Sequence, residues 1–258
     1  MLRPRLIPVL LLQENGLVKT FNFDNPKYIG DPLNAVRIFN EKQVDELMIL
    51  DIDSSIKGLN PNYSLISKIA NECRMPLSYG GGIKDLESAE KIISFGVEKI
   101  SISSSALTQP SLIKEISSTI GSQSVSVVLD VRKNLFKKYK VYSNRGKKRH
   151  KGDLKELIRK FVDLGAGEII INSIDKDGSL LGYDLDLAHL CKEVTKTPIT
   201  FIGGLGHIDH VKELVNICGI VGCAGGSFFV FKGKHRAVLI TYPTFEEKLQ
   251  SFSLKLNE

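Results

Sequence analysis

The chain holds only four cysteines, Cys73, Cys191, Cys218 and Cys223, and no two of them form a Cys-x-x-Cys pair. They stand far apart or inside apolar, strand-like runs. Neither a disulfide framework nor a zinc site is expected, and a reducing, cytoplasmic setting fits such use; no metal or other cofactor is called for. Apolar runs are short. None approaches the ~20 residues that span a bilayer, so no membrane partner is expected. Leu6–Leu12, preceded by Met1-Leu2-Arg3-Pro4-Arg5, looks superficially like a leader. It is barely long enough, lacks a small-residue cleavage site, and ends at Gln13-Glu14-Asn15-Gly16 as a strand ends in a turn. Acidic residues are missing from one stretch in particular, since residues 132–151 carry ten Lys or Arg and no Asp or Glu. This stretch more than accounts for the net charge of +6. No nucleic-acid recognition motif accompanies it. Two readings remain, a solvated face or an attractor for an anionic substrate.

What is present is a repeat. Ser78–Ala106 runs through a strand, a Gly pair (Gly81-Gly82), an amphipathic helix, a second strand and a small-residue turn (Ser103-Ser104). Phe201–Phe228 does the same, with Gly203-Gly204 and Gly225-Gly226 each 122 residues after their counterparts. Gly30-Asp31, Arg37, Phe39, Glu46 and Asp53 recur at the same offset as Gly152-Asp153, Arg159, Phe161, Glu168 and Asp175. The chain is thus a duplicated half. Each half carries four strand-then-helix units, which implies a parallel sheet with right-handed crossovers. Eight units in 258 residues match a closed (βα)8 TIM barrel, a single domain over 1–258. An open, doubly wound sheet is the alternative, but a doubled four-unit half closes more naturally into a ring. Small residues at paired strand ends let backbone N–H groups approach an anion. The pairs therefore predict two phosphate sites, against plain turn chemistry.

Along the chain, Gln13 to Gly30 reads as a long connection without regular structure, either a floppy insertion or a lid bearing Lys19, Phe21, Phe23 and Tyr28. Asp31-Pro32 supplies a cap and a first-turn proline to the first helix. Ser64 is the expected cap of a second helix over Leu65–Asn71. Ser124–Asp130 predicts a strand ending in an acid at the reactive rim. Lys140–Ser143 and the turn Asn144-Arg145-Gly146 predict a β-hairpin inside the basic stretch. Phe245–Phe252 reads as the last helix.

Several runs carry a resemblance: Arg5-Leu6-Ile7-Pro8, Lys19, Gly30-Asp31-Pro32, Asp45-Glu46-Leu47, Leu50-Asp51-Ile52, Gly80-Gly81-Gly82-Ile83, Ser101-Ile102, Ser173 to Gly178, Gly182-Tyr183-Asp184 and Gly203-Gly204. Together they resemble the cyclase subunit of imidazole glycerol phosphate synthase, almost without gaps to about Phe231. The resemblance implies a (βα)8 barrel that takes ammonia from a glutaminase subunit and uses it at the C-terminal face on a doubly phosphorylated substrate. It implies phosphate binding by Gly81, Gly82, Ser103, Ser104, Asp177, Gly178, Gly203, Gly204, Gly225 and Gly226, with Lys19 and Asp177 supporting catalysis. Arg5, Glu46, Lys99 and Glu168 match the family's salt-bridged ammonia gate, although residues at the bottom of a barrel normally serve stability. Glu98 matches an acidic position at the glutaminase contact.

The family uses two aspartates as general acid and base. Asp130 matches the second, but the first falls on Leu11, which transfers no proton. Glu14 lies near in sequence, in the following loop. Ser103 stands where the family has Asn, Ile202 where it has Ser, and the tail Lys232-Gly233-Lys234-His235-Arg236 also departs. The pattern is similar to paralogues of bacterial surface-polysaccharide pathways, in which ammonia helps turn an acetamido sugar into an acetamidino sugar with a third, ATP-dependent enzyme. An authentic histidine-pathway cyclase, and a non-catalytic scaffold that activates the glutaminase, are the other readings.

Overall fold

In the computed structural model, which describes residues 3–252, eight strands run parallel and close on themselves. They are β1 (Arg5–Gln13), β2 (Leu47–Asp51), β3 (Leu77–Gly80), β4 (Lys99–Ile102), β5 (Val125–Lys133), β6 (Glu168–Ser173), β7 (Ile199–Ile202) and β8 (Gly222–Gly225). β1 pairs with β8 through Arg5 and Gly222 and with β2 through Val9 and Met48, while β5 and β6 close the ring through Ser126 and Glu168. Alternation along the strands sorts the side chains onto two faces. Leu6, Leu10, Ile49, Ile169 and Ile171 point outward to the helices, whereas Ile7, Val9, Met48, Val128, Ile170, Ile202 and Ala224 fill the barrel interior. Apolar side chains thus line and fill the barrel interior.

Among the described residues, eight helices of eight residues or more cover the outside: α1 (Pro32–Glu41), α2 (Tyr63–Glu72), α3 (Leu86–Ser94), α4 (Ser111–Ile120), α5 (Leu154–Asp163), α6 (Leu185–Lys192), α7 (Ile208–Cys218) and α8 (Phe245–Phe252). The duplication is visible in the helix caps and in the core. Asp31 and Asp153 cap α1 and α5, their carboxylates accepting from Asn34 N and Lys155 N. Phe39 and Phe161 are both fully buried, and truncating either to Ala should cost about 3–5 kcal/mol.

The structure corrects the sequence reading at several points. Gln13 to Gly30 is not structureless. β1 continues to Gln13, turns at Glu14 and Asn15, and is followed by antiparallel strands Gly16–Phe21 and Asp24–Gly30. The first turn falls where Gln13-Glu14-Asn15-Gly16 predicts one, with Glu14 at positive φ; the second is made by Asn22 and Phe23 at positive φ, which the sequence did not advertise. The second helix starts two residues early because Asn62, not Ser64, caps it, its Oδ1 accepting from Leu65 N at 3.1 Å. The strand expected to end at Asp130 runs on to Lys133, held by the antiparallel strand Tyr139–Ser143. The expected hairpin in the basic stretch forms, with Tyr139–Ser143 paired to Lys148–Arg149. Met1 and Leu2 lie outside the described residues; Leu6–Leu12 belongs to β1.

Candidate functional site

At the N-terminal end of the strands the four ring residues meet. Arg5, at the start of β1, bridges Glu46 and Glu168, with Nη2 2.6 Å from Glu168 Oε1. Lys99 Nζ lies 2.8 Å from Glu168 Oε2 and 3.4 Å from Glu46 Oε2. Ser78 Oγ donates to Glu46 (2.9 Å) and Thr200 Oγ1 to Glu168 (2.5 Å). Burial pushes the Glu168 carboxyl up, but Arg5 and Lys99 outweigh it and hold the group below the ordinary range. All four predicted gate residues are therefore in one network, two anions against two cations. Glu98 is exposed beside it, one residue before Lys99.

At the opposite end the mouth divides into two cavities, sharing Leu11, Phe23, Leu50 and Asn172 as a partition. The first is lined by Gly81, Ser103, Ser104, Asp130 and Arg145. The second is lined by Lys19, Asp177, Gly178, Ile202, Gly203, Gly204, Gly225 and Gly226. The two repeated turns thus face two compartments of one mouth. Gly82 is the exception, lying behind the wall against Leu59 and Ser54. The glycines also answer a packing need. A Cβ on Gly81 would sit 2.6 Å from Asp51 O, and one on Gly203 2.6 Å from Ser173 O, at equivalent places in the two halves. Both adopt positive φ, 129° and 99°.

Asp130 lies on β5 directly opposite Asn172 of β6. Asn172 Nδ2 donates to Asp130 Oδ1 at 2.9 Å. Burial pushes the Asp130 carboxyl up to about 7; the Asn172 hydrogen bond opposes this and Asp177 adds to it. A carboxyl so tuned can hold or release a proton near neutral pH, as an acid or base must. Asn172 Oδ1 is buried and has no hydrogen-bond partner among the described residues, so an acceptor stands ready at the mouth for a ligand N–H or O–H. Sequence reasoning missed Asn172. Its signal was a polar residue closing the apolar run Ile169–Ile171.

Lys19 is buried, its ammonium donating to Val9 O and lying against Gly226, where a Cβ would come 2.5 Å from Nζ. Burial lowers its pKa to about 8 against the pull of Asp177. It can place a cation at the second turn. Asp177 anchors the hairpin above, accepting from Thr20 Oγ1 (2.8 Å) and Phe23 N (3.0 Å). Across the first cavity, Arg145 bonds Asp53 and donates from Nε to Ile52 O (3.2 Å), so the basic excursion folds back over the mouth. Leu11 sits among the interior apolar side chains with Leu50. Glu14, exposed in its turn, lines neither cavity. The mouth therefore offers one carboxyl titrating near neutrality, one buried ammonium, and two compartments with backbone turns.

A family described as histidine biosynthesis protein matches residues 5–235. A protein of Leptospira borgpetersenii named "Putative imidazole glycerol phosphate synthase subunit HisF" is 55% identical over 249 residues, covering 96% of this chain and 98% of that one. The similarly named subunit hisF3 of Vibrio vulnificus is 51% identical over 255 residues, 98% of each chain. The imidazole glycerol phosphate synthase subunit HisF of Streptococcus mutans is 34% identical over 229 residues, 89% of this chain and 91% of that one. The barrel, the matched stretch and these relatives together place the chain in the HisF-like family, the cyclase subunit of a glutamine-dependent synthase.

Proposed function

We propose that this subunit receives ammonia from a glutaminase partner docked at the charged ring beside Glu98. The ammonia passes through the barrel interior and is delivered at the opposite mouth to an acceptor other than the histidine precursor. The acceptor is a phosphorylated or sugar substrate, in the making of an acetamidino sugar for a surface glycan, with an ATP-dependent amidotransferase as further partner. The observation that carries this is Leu11. The ring's four charges meet in one network, yet the mouth is partitioned by the apolar Leu11, at the position where the resemblance implies the first catalytic aspartate. Losing a positioned acid or base costs about 10²–10⁴-fold in rate. Ser103 and Ile202, on the walls of the two cavities, change the same surface. Relatives half identical to this chain bear the numbered names hisF2 and hisF3, as additional copies beside a histidine-pathway subunit would.

A second reading, cyclisation of the histidine precursor with Asp130 as the main acid and base, has one observation in its favour. Asp130 near 7 and Lys19 near 8 are two groups able to exchange protons at neutral pH. The two readings part on one experiment. Purified protein supplied with ammonia and the histidine-pathway substrate should form little or no imidazole glycerol phosphate, and Leu11→Asp should raise turnover. Wild-type turnover equal to that of a two-aspartate cyclase would defeat the first reading.

A further inference from the structure

β5 does not stop at the rim. It continues three residues past Asp130 to Lys133, about 10 Å further along the strand at 3.3 Å per residue. It then turns through Asn134 to Lys138 into the antiparallel strand Tyr139–Ser143. At the apex stand Leu135 and Phe136, 100% and 82% exposed, the most exposed large apolar side chains among the described residues. Four of the turn's backbone N–H groups find partners within it. Asn134 Oδ1 accepts from Phe136 N (3.0 Å) and Lys138 N (2.9 Å), while Lys137 N donates to Asn134 O (2.9 Å) and Asn134 N to Lys138 O (2.9 Å). Such a tip can leave water without stranding these backbone groups, whose loss of partners would otherwise be costly.

Within the turn itself the charge is of one sign. Lys133 is engaged by Asp184 (3.7 Å) and Asp186 (3.3 Å), the acids facing this arm from the β6–α6 side. Lys137 and Lys138 are exposed beside the apolar pair, and Lys140 follows. The tail hairpin Phe231–Lys232/Ala237–Val238 reaches the same face, where Arg236 donates to Gly178 O (2.8 Å), and brings Lys232, Lys234 and His235 with it. A protein groove would be an odd match, since lysine is depleted at protein interfaces. A bilayer surface accepts a convex apolar tip, and lysine stems can snorkel around it toward anionic headgroups.

We propose that the Asn134–Lys138 turn is a peripheral membrane anchor, seating Leu135 and Phe136 among the headgroups of an anionic bilayer with its lysines on the lipid phosphates. No helix among the described residues is long and apolar enough to cross a membrane, which excludes only a spanning mode. The proposal does not depend on what the barrel makes. It orients the mouth, and whatever acceptor it serves, toward the membrane.

The chain has no tryptophan, so Phe136→Trp gives a single fluorescent reporter at the tip. With phosphatidylcholine–phosphatidylglycerol vesicles its emission should shift to the blue and be quenched by brominated acyl chains; with pure phosphatidylcholine it should not. Co-sedimentation of the unlabelled protein should fall with added salt. The Leu135→Asp/Phe136→Asp variant, whose sites are exposed and whose melting temperature should match the parent, should bind at least about tenfold more weakly, a difference of 1.4 kcal/mol or more. No shift on anionic vesicles, equal binding to neutral ones, or full binding by the double variant would each overturn the proposal. A tip silent to vesicles but protected by an acidic protein would overturn it too.

Discussion

Lys99→Ala removes one of two cations from a network that holds two buried carboxylates. Glu46 and Glu168 are 3% and 4% exposed, so neither can recover its solvation in water. Lys99 Nζ contacts both, at 2.8 Å and 3.4 Å, and after its loss Arg5 alone faces two negative charges. Breaking a fully buried pair costs about 3–5 kcal/mol, an exposed one about 0–1. The cations here keep 22% and 29% of their side-chain exposure, so water reaches one side of the ring and the cost falls between these limits. We expect about 2–3 kcal/mol, or a melting temperature lower by roughly 4–10 °C for a chain of this size. The pH dependence has a definite sign. Glu168 is held below its ordinary pKa, so its contribution is present at neutral pH and fades as pH falls through the folded value. Lys99→Ala releases much of that depression, and the gap between parent and variant should therefore narrow on acidification. Lys99→Ala/Glu168→Gln restores charge balance and should recover most of the loss. Melts at several pH values check all three expectations. With the glutaminase partner, glutamate release should continue in Lys99→Ala while glutamine-supported product falls and ammonia-supported product does not. A variant as stable as the parent at neutral pH, or equally coupled, would refute the reasoning and leave the ring as a spectator.

Two further changes probe the two ends of the barrel. With its carboxyl held near 7, Asp130 stays protonated while the unfolded chain ionises, so it lowers stability as pH rises from about 4 to about 7; Asp130→Asn should match the parent at about pH 4 and exceed it by about 1–3 kcal/mol at about pH 8, read by denaturant titration. Glu98→Lys, exposed on the ring face, should weaken capture of the glutaminase in a pull-down, by up to about 2–5 kcal/mol if its partner charge is buried, while leaving the melting temperature unchanged.

Much of this architecture could be read from the chain. The 122-residue offset carried the barrel, the cap Asp31 and its twin Asp153, and the pairing of Glu46 with Glu168, because each rests on a side chain whose role is local or repeated. Features made by tertiary proximity were not legible. Arg145 and Asp53 are 92 positions apart and meet only because the basic hairpin folds back across the mouth. Asn62 and Ser64 are both competent caps, and position in the fold decided between them. The meander after β1 was hidden because its second turn uses Asn22 and Phe23 at positive φ, where glycine would have announced it. Asn172 owed its place beside Asp130 to the register of β5 against β6.

The glycines that crowd against Asp51 and Ser173 have an evolutionary corollary. Because neighbouring backbone forbids a Cβ at Gly81 and Gly203 whether or not an anion is bound, these residues are fixed by the course of the chain and not by any ligand. Each half can then drift in what it recognises while its scaffold is inherited intact. Selection for a new acceptor needs to act only on neighbouring wall residues such as Ser103 in one half and Ile202 in the other. A descendant that has abandoned phosphates altogether would still carry both glycines, and its specialisation would be written in the side chains around them.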